Sequence, residues 1–270
     1  MIFYDKERIK EINCWKDDDF YLLIDFDKTL TAGNSWGSWE IILNNKNVPE
    51  EYKREVYELF NYYRPIEISE SIDRKLKEKH MIDWWNEEVK LFIKYQFDEK
   101  FINESLNNVD IIKFRDGAKK LLKVLYSRKI PVIIISAGIG DFIKKFLLHN
   151  NCYFNNIYII SNFLKFENGK LIGFGENIIH SLNKDIAHIP NNVVDLIRCR
   201  NKVILLGDSI ADINMAKNIE SHNLYTIGFL EEKIEYNLKY FKNSFDLVAT
   251  NNTSFDDVAE KLKILKRKIY

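Results

Sequence analysis

Two aspartates one residue apart, Asp25 and Asp27, close the apolar run in "LLIDFDKTLT", and Thr29 follows. Ending a buried strand on two like charges is costly. The carboxylates repel, and one of them titrates abnormally unless a cation sits between them. Two readings stand at this point: a strand end followed by an aspartate-rich turn, or a site for a divalent cation and a phosphoryl group. Three later stretches bear on the choice. They are "SAGIGD" with Ser136, Ala137 and Gly138, "HSLNKD" with Lys184, and "GDSIAD" with Asp208 and Asp212.

Each stretch alone has an ordinary explanation, since a GDS is often a turn and a lone lysine is usually solvated. Their order is the specific signal. Exposed backbone N–H groups opening a helix beside a hydroxyl, as in 136–138, cradle a phosphate. Lys184 offers a cation to the same phosphate. Mg²⁺ takes one or two carboxylates, waters and a phosphate oxygen, and Asp25 with Asp208 supplies the carboxylates. A carboxylate nucleophile can form an aspartyl-phosphate, and a second carboxyl can protonate the leaving alkoxide and later activate water. On this reading cation and phosphate make the paired charges tolerable.

The elements that must position these groups are short apolar runs without polar alternation: "YLLI" (21–24), "PVIII" (131–135), "IYII" (157–160), "KVILL" (202–206) and "LYTIGFL" (224–230). Such runs suit strands covered on both faces. Helix-period segments "GAKKLLKVLYS", "DFIKKFLLHN" and "ADINMAKNI" lie between them. The expected fold class is α/β, with a doubly wound, mostly parallel sheet whose ligands bind at the carboxyl ends of the strands.

Residues 32–110 break the rhythm. They are rich in Glu, Lys, Trp and Tyr, with helical periods in "SWEIILNN", "PEEYKREVYELFNYY" and "SIDRKLKEKHMIDWWNEEVKLFIKY". We read them as an inserted helical cap domain, the α/β core being 1–31 and 111–270. A smaller insert at about 161–176, "SNFLKFENGKLIGFGE", carries a hairpin signal in "ENGK".

Composition fits a soluble globular chain rather than a disordered one: 46% hydrophobic, 30% charged, with 40 basic residues balancing 40 acidic ones. No overall charge draws the chain to nucleic acid or to a membrane surface. The basic "KLKILKRKIY" reads as a last helix with cations at its negative end. Three scattered cysteines, without a C-x-x-C, fit a reduced compartment. The first twenty residues carry charges where a signal peptide needs its apolar region, and no run approaches a membrane span. The expectation is a cytoplasmic protein acting on a small molecule, as a monomer or a dimer.

The order D-x-D-x-T, S, K, GDSxxD resembles the haloacid dehalogenase-like superfamily, in its phosphotransferring branch because Asp stands at 27. "SAGIGD", "ISNFLKFENGKLIGF", "IIHSLNK" and "ILLGDSIADINMA" narrow the likeness to the cytosolic 5′-nucleotidase III (pyrimidine 5′-nucleotidase) family, over about residues 20–260. The resemblance implies Asp25 as nucleophile and Asp27 as acid and base. It further implies phosphate binding by Ser136, the Ala137 backbone and Lys184. Mg²⁺ would be held by Asp25, the Asp27 carbonyl and Asp208, with Asp212 as an outer partner. In the cap it places a base-contacting glutamate at Glu67 and aromatics that stack on the base at Trp85 and Trp39. The ordinary alternatives are a solvated glutamate and helix-packing tryptophans. Glu88 stands where pyrimidine-specific members have a serine, and "GNSWGSWE" lacks the family's cysteine-bearing stretch.

The implied activity is that of a Mg²⁺-dependent phosphoric monoester hydrolase. Its expected substrates are nucleoside 5′-monophosphates of pyrimidine or 7-methylguanosine type. The alternative is the same chemistry on another small ester, a phosphorylated amino acid or sugar. A catalytically silent binding protein is a third reading, against which the competent residues at all four motif positions argue.

Overall fold

The computed structural model of the chain describes residues 1–266 except 70, 176, 186, 187 and 218. The strands in chain order are β1 (Ile2–Tyr4), β2 (Phe20–Ile24), β3 (Val132–Ile139), β4 (Ile157–Asn162), β5 (Leu164–Glu167), β6 (Lys170–Phe174), β7 (Lys202–Gly207), β8 (Leu224–Leu230) and β9 (Leu247–Thr250). The helices are α1 (Lys6–Ile12), α2 (Glu50–Ile68), α3 (Arg74–Lys94), α4 (Glu99–Leu106), α5 (Ala118–Ser127), α6 (Gly140–His149), α7 (Asn191–Ile197), α8 (Ile234–Ser244) and α9 (Phe255–Lys261).

Seven strands form one sheet in the order β1-β9-β8-β7-β2-β3-β4, parallel throughout except for the edge pair of β1 with β9. The five apolar runs all became strands because both faces of each are covered. Leu22, Ile24, Ile134 and Ile204 pack on one side with α5, α6 and α9. Tyr21, Leu23, Ile133 and Leu205 pack on the other with α7 and α8. The chain runs from β2 to β3 and β4 on one side, then returns to β7 beside β2 and continues to β8 and β9. β2 is therefore the switch point, and the ends of β2, β3 and β7 open onto one crevice.

The insert between β2 and β3 is helical. Buried Tyr52, Val56 and Tyr63 share one face of α2, and Met81, Glu88 and Phe92 share one face of α3. Asp73 caps α3 through the N–H groups of Lys75 and Leu76, and Asp98 caps α4 through that of Phe101. The β5–β6 hairpin turns at Asn168 and Gly169, both in the left-handed region, as a primed turn requires. The hairpin packs on the insert: Phe174 meets Trp85 and Phe92 edge-on, and Gly169 O accepts from Glu99 N at 3.0 Å.

Three local expectations change. "SWEIILNN" forms only a 3₁₀ turn at Ser38–Glu40, because the side chains of Asn44 and Asn45 take over backbone partners, Glu40 O and Asn47 N. "ADINMAKNI" winds as 3₁₀ over Ile210–Ala216, where Asn214 Nδ2 donates to Ala211 O in the same way; residue 218 lies outside the described residues. The basic tail continues α9 only as a 3₁₀ turn at Lys263–Leu265, and 267–270 lie outside the described residues, as does 176 at the end of the hairpin insert. The short strands β1 and β9 and the short helices α1, α4 and α7 carried too little pattern to read. Among the described residues, no helix is long and apolar enough to cross a membrane.

Candidate active site

Asp25 extends β2 past its last residue, its N–H donating to Leu206 O of β7 at 3.0 Å. The chain then turns sharply through Phe26–Leu30, with Lys28 at φ 58° and its N–H on Thr31 Oγ1 at 2.8 Å. Arg115, fully buried, clamps this turn from below. Its guanidinium donates to Thr29 O at 2.9 Å, to Lys28 O and to Glu231 Oε1 at 2.7 Å, and lies 4.1 Å from the ring of Phe229. The turn fixes Asp27 on the crevice side. There Ser38 donates its backbone N–H to Asp27 Oδ1 at 2.7 Å and its hydroxyl to Oδ2 at 2.6 Å.

Residues 136–138 lie in an irregularity of β3, where the pairing with β4 shifts register between Ile135 and Ile139. The helix starts only at Gly140, so any backbone donors for a phosphate come from this bulged strand end and not from the first helical turn. The bulge is braced by Gly138 N on Ser136 Oγ at 3.1 Å, Ser161 Oγ on Gly138 O at 2.9 Å and Asn162 Nδ2 on Ala137 O at 2.9 Å. Asn162 also exchanges two hydrogen bonds with the backbone of Ile179. It thereby ties the bulge to the loop that carries Lys184.

Lys184 Nζ lies 2.5 Å from Asp25 Oδ1 and 3.0 Å from Asp212 Oδ1. The other oxygen of Asp212 accepts from the N–H groups of Asp208 and Ser209 at 3.2 and 3.0 Å, which braces the loop after β7. Carboxylate oxygens of Asp25, Asp208 and Asp212 lie within 4.8 Å of one another. The Asp27 side chain, turned to Ser38, is not part of this cluster; the family resemblance assigns the metal its main-chain carbonyl.

Burial, together with repulsion from Asp212 and Asp27 and against the pull of Lys184, pushes Asp25 up to about 7. Asp208 is raised well above the usual carboxylate range by burial and by Asp25, and Asp27 is raised by burial. Burial opposes charge on Lys184, but Asp212 and Asp25 outweigh it and keep the ammonium ionised. One cation thus faces a cluster of three carboxylates whose only donors are oxygen, a set that fits a small hard divalent ion.

Above this floor is a cavity of about 510 Å³. Asp25, Asp27, Ser136, Ala137, Lys184 and Asp208 line its base, and Glu67, Trp39 and Trp85 line its walls; Asp212 reaches the site through Lys184. Trp39 stacks on Phe60 of α2, centroids 6.0 Å apart and planes 8° apart. Glu67 accepts from Ser181 Oγ at 2.5 Å and from Arg64. Glu88 also faces the cavity, and burial pushes its carboxyl up to about 8, with Trp84 opposing. Sequence reasoning missed Ser38, Arg115, Asn162, Phe60 and Trp84. The two aromatics could have been found from the apolar stripes of α2 and α3; the other three carry no local signal.

The pyrimidine 5′-nucleotidase (UMPH-1) family model matches residues 26–266. The 7-methylguanosine phosphate-specific 5′-nucleotidase of Rattus norvegicus is 33% identical over 259 residues, spanning 93% of this chain and 86% of that protein. Its Homo sapiens counterpart is 32% identical over 249 residues, spanning 89% and 83%. The crystal structure of cytosolic 5′-nucleotidase IIIB bound to cytidine superimposes with a TM-score of 0.85 at 27% identity, over 98% of this chain and 93% of that one. A substrate-bound phosphoserine phosphatase shares the fold, with a TM-score of 0.58 at 18% identity over 92% and 99%. Matched through nearly its whole length, the chain belongs to the pyrimidine 5′-nucleotidase family.

Proposed function

We propose that the protein hydrolyses nucleoside 5′-monophosphates of pyrimidine or 7-methylguanosine type through an aspartyl-phosphate on Asp25. The observation that carries this reading is the placement of Asp25, Asp27 and Lys184 on the floor of one cavity whose walls are aromatic. A phosphate fits the floor and a flat base fits the walls. Residues 32–110 act as the cap and 1–31 with 111–270 as the core.

The chain's own residues divide the work. Ser136, the Ala137 backbone and Lys184 hold the phosphate against Asp25. A carboxylate oxygen of Asp25 attacks phosphorus as the bond to the 5′-oxygen breaks, and that oxygen leaves with the proton of Asp27. Asp27, now ionised, takes a proton from water as the water oxygen attacks the aspartyl-phosphate, which releases phosphate and restores Asp25. Asp25, Asp208 and the main-chain carbonyl of Asp27 would hold Mg²⁺, with Asp212 supporting Asp208. When bound, the ion neutralises charge on the phosphate and on the carboxylates around it. Glu67, Trp85 and Trp39 contact the base. Relatives named for 7-methylguanosine phosphate, and a neighbour bound to cytidine, support both halves of the substrate class.

The test is phosphate release in Mg²⁺ from CMP, UMP, purine monophosphates, 7-methyl-GMP, phosphoserine and a sugar phosphate. Discrimination among bases is expected. Equal rates on all bases, with faster hydrolysis of phosphoserine or a sugar phosphate, would replace this reading by the alternative ester.

A further inference from the structure

Asp27 is gripped by the insert. Ser38, eleven residues downstream and fully buried, contacts both carboxylate oxygens, one through its amide and one through its hydroxyl. The hydroxyl fits a notch left by Gly138 of the β3 bulge, where a Cβ would stand 1.8 Å from Ser38 Oγ and 3.2 Å from Asp27 Oδ2. Glu40 closes the turn, its Oε2 accepting from Gly37 N at 2.7 Å. Trp39, the next residue, is anchored on Phe60 of α2. The segment holding Asp27 is therefore locked between the phosphate-facing bulge and the first insert helix.

We infer that Ser38 is the positioning residue for proton transfer by Asp27, so that acid–base chemistry is competent only while the insert is seated. The inference rests on Asp27 acting as the acid and base of a phosphatase. Each ionised carboxylate oxygen has two lone-pair sites, and Ser38 uses one on each. It fixes the plane of the carboxyl while a second site on each oxygen stays open for the proton. In the first step that proton passes from Asp27 to the departing 5′-oxygen. In the second it returns from the attacking water. Between the two steps the carboxylate is ionised, the form both Ser38 bonds favour.

Ser38→Ala keeps the amide bond and loses the hydroxyl. For a nucleoside monophosphate, kcat should fall roughly 10- to 100-fold, the loss of one hydrogen bond to a charged group. KM should stay within roughly threefold, because the interaction acts in the reaction and not in binding, and the melting temperature should stay close to wild type. p-Nitrophenyl phosphate separates the steps, since its phenolate leaves without a proton while the second step still needs Asp27 as base. Rapid mixing of Ser38→Ala with this ester should show a fast burst of nitrophenolate and then slow turnover. Gly138→Ala should displace Ser38 and lower kcat as well, and adding Ser38→Ala to it should cost nothing more. An unchanged kcat in Ser38→Ala overturns the inference. So does a rise in KM with loss of activity on both esters and no burst, which would make Ser38 a packing residue. An inactive wild type overturns the functional reading and this inference together; an active wild type matched by Ser38→Ala overturns this inference alone.

Discussion

Lys184 Nζ meets Asp25 Oδ1 at 2.5 Å across 159 positions of sequence. The ammonium is buried with the carboxylate it contacts, so it is committed to that group and not to solvent. Burial raises Asp25, and Lys184 is the strongest influence favouring its ionised form, the form the proposed attack on phosphorus requires. Asp25→Asn should keep the fold, since Lys184 retains Asp212, yet lose activity by roughly 10³-fold or more because the proposed nucleophile is removed. Asp27→Asn should lower kcat severely while sparing KM. The check is kcat and KM for both variants beside their melting temperatures. Near-normal turnover by Asp25→Asn would rule out the covalent route.

The oxygen-only cluster of Asp25, Asp208 and Asp212 gives a prediction about metal removal. Chelation by EDTA should abolish hydrolysis and Mg²⁺ should restore it. Ca²⁺ should inhibit, because its larger and looser coordination misplaces the phosphate for in-line attack. Mg²⁺ should also raise the melting temperature of the wild type by binding only the folded chain, and raise it less in Asp208→Asn. Full activity after exhaustive chelation contradicts the assignment.

Glu88 supplies a pH prediction. On the buried face of α3, its carboxyl is pushed up by burial from an ordinary 4.5 to about 8. Between those values the folded chain holds a proton that the unfolded chain has released, so stability falls as pH rises. The contribution is fully present below pH 4.5 and lost as pH rises through 8. Glu88→Gln removes the titration. Relative to wild type it should gain stability from pH 5 to pH 8, on the order of 3 kcal/mol at pH 7. Denaturant unfolding of both proteins at several pH values measures this, and a pH-independent difference would refute it.

The candidate site was legible where its residues are local in sequence. Asp25 and Asp27 were readable because a strand end and its turn carry both, and Asp208 and Asp212 for the same reason. The five central strands were readable because full burial on both faces writes unbroken apolar runs. Ser38 and Arg115 were invisible for the opposite reason. Ser38 reaches Asp27 only because a 3₁₀ turn replaced the expected helix. Arg115 holds Thr29 O from 86 residues away, and a buried arginine looks in sequence like any solvated one. Asn162 sits at the end of an apolar strand, and its side chain acquires meaning only once the bulge at 136–138 and the loop before Lys184 converge on it. Strands β1 and β9 are three and four residues long, too short for a period to show.

Trp85 tests the cavity wall. Its ring is half-buried, edge-on to Phe174 at 5.1 Å and 86°, and it faces the cavity above the paired aspartates. Phe174 belongs to the β5–β6 hairpin, so the wall is shared between α3 and that hairpin. Stacking of a base on an aromatic ring is worth about 1–3 kcal/mol by alanine substitution. Trp85→Ala should therefore raise KM for the preferred nucleotide roughly 5- to 150-fold. p-Nitrophenyl phosphate has no base to stack, so its hydrolysis should be nearly unchanged. Loss of the Phe174 contact should also lower the melting temperature, but a stability loss affects both substrates equally at assay temperature. The informative quantity is the ratio of nucleotide to p-nitrophenyl phosphate activity in wild type and variant. A large fall in that ratio places the base against Trp85. An unchanged ratio with a lowered melting temperature would make Trp85 only the packing between α3 and the hairpin, and base recognition would then lie with Trp39 and Glu67 on the opposite elements.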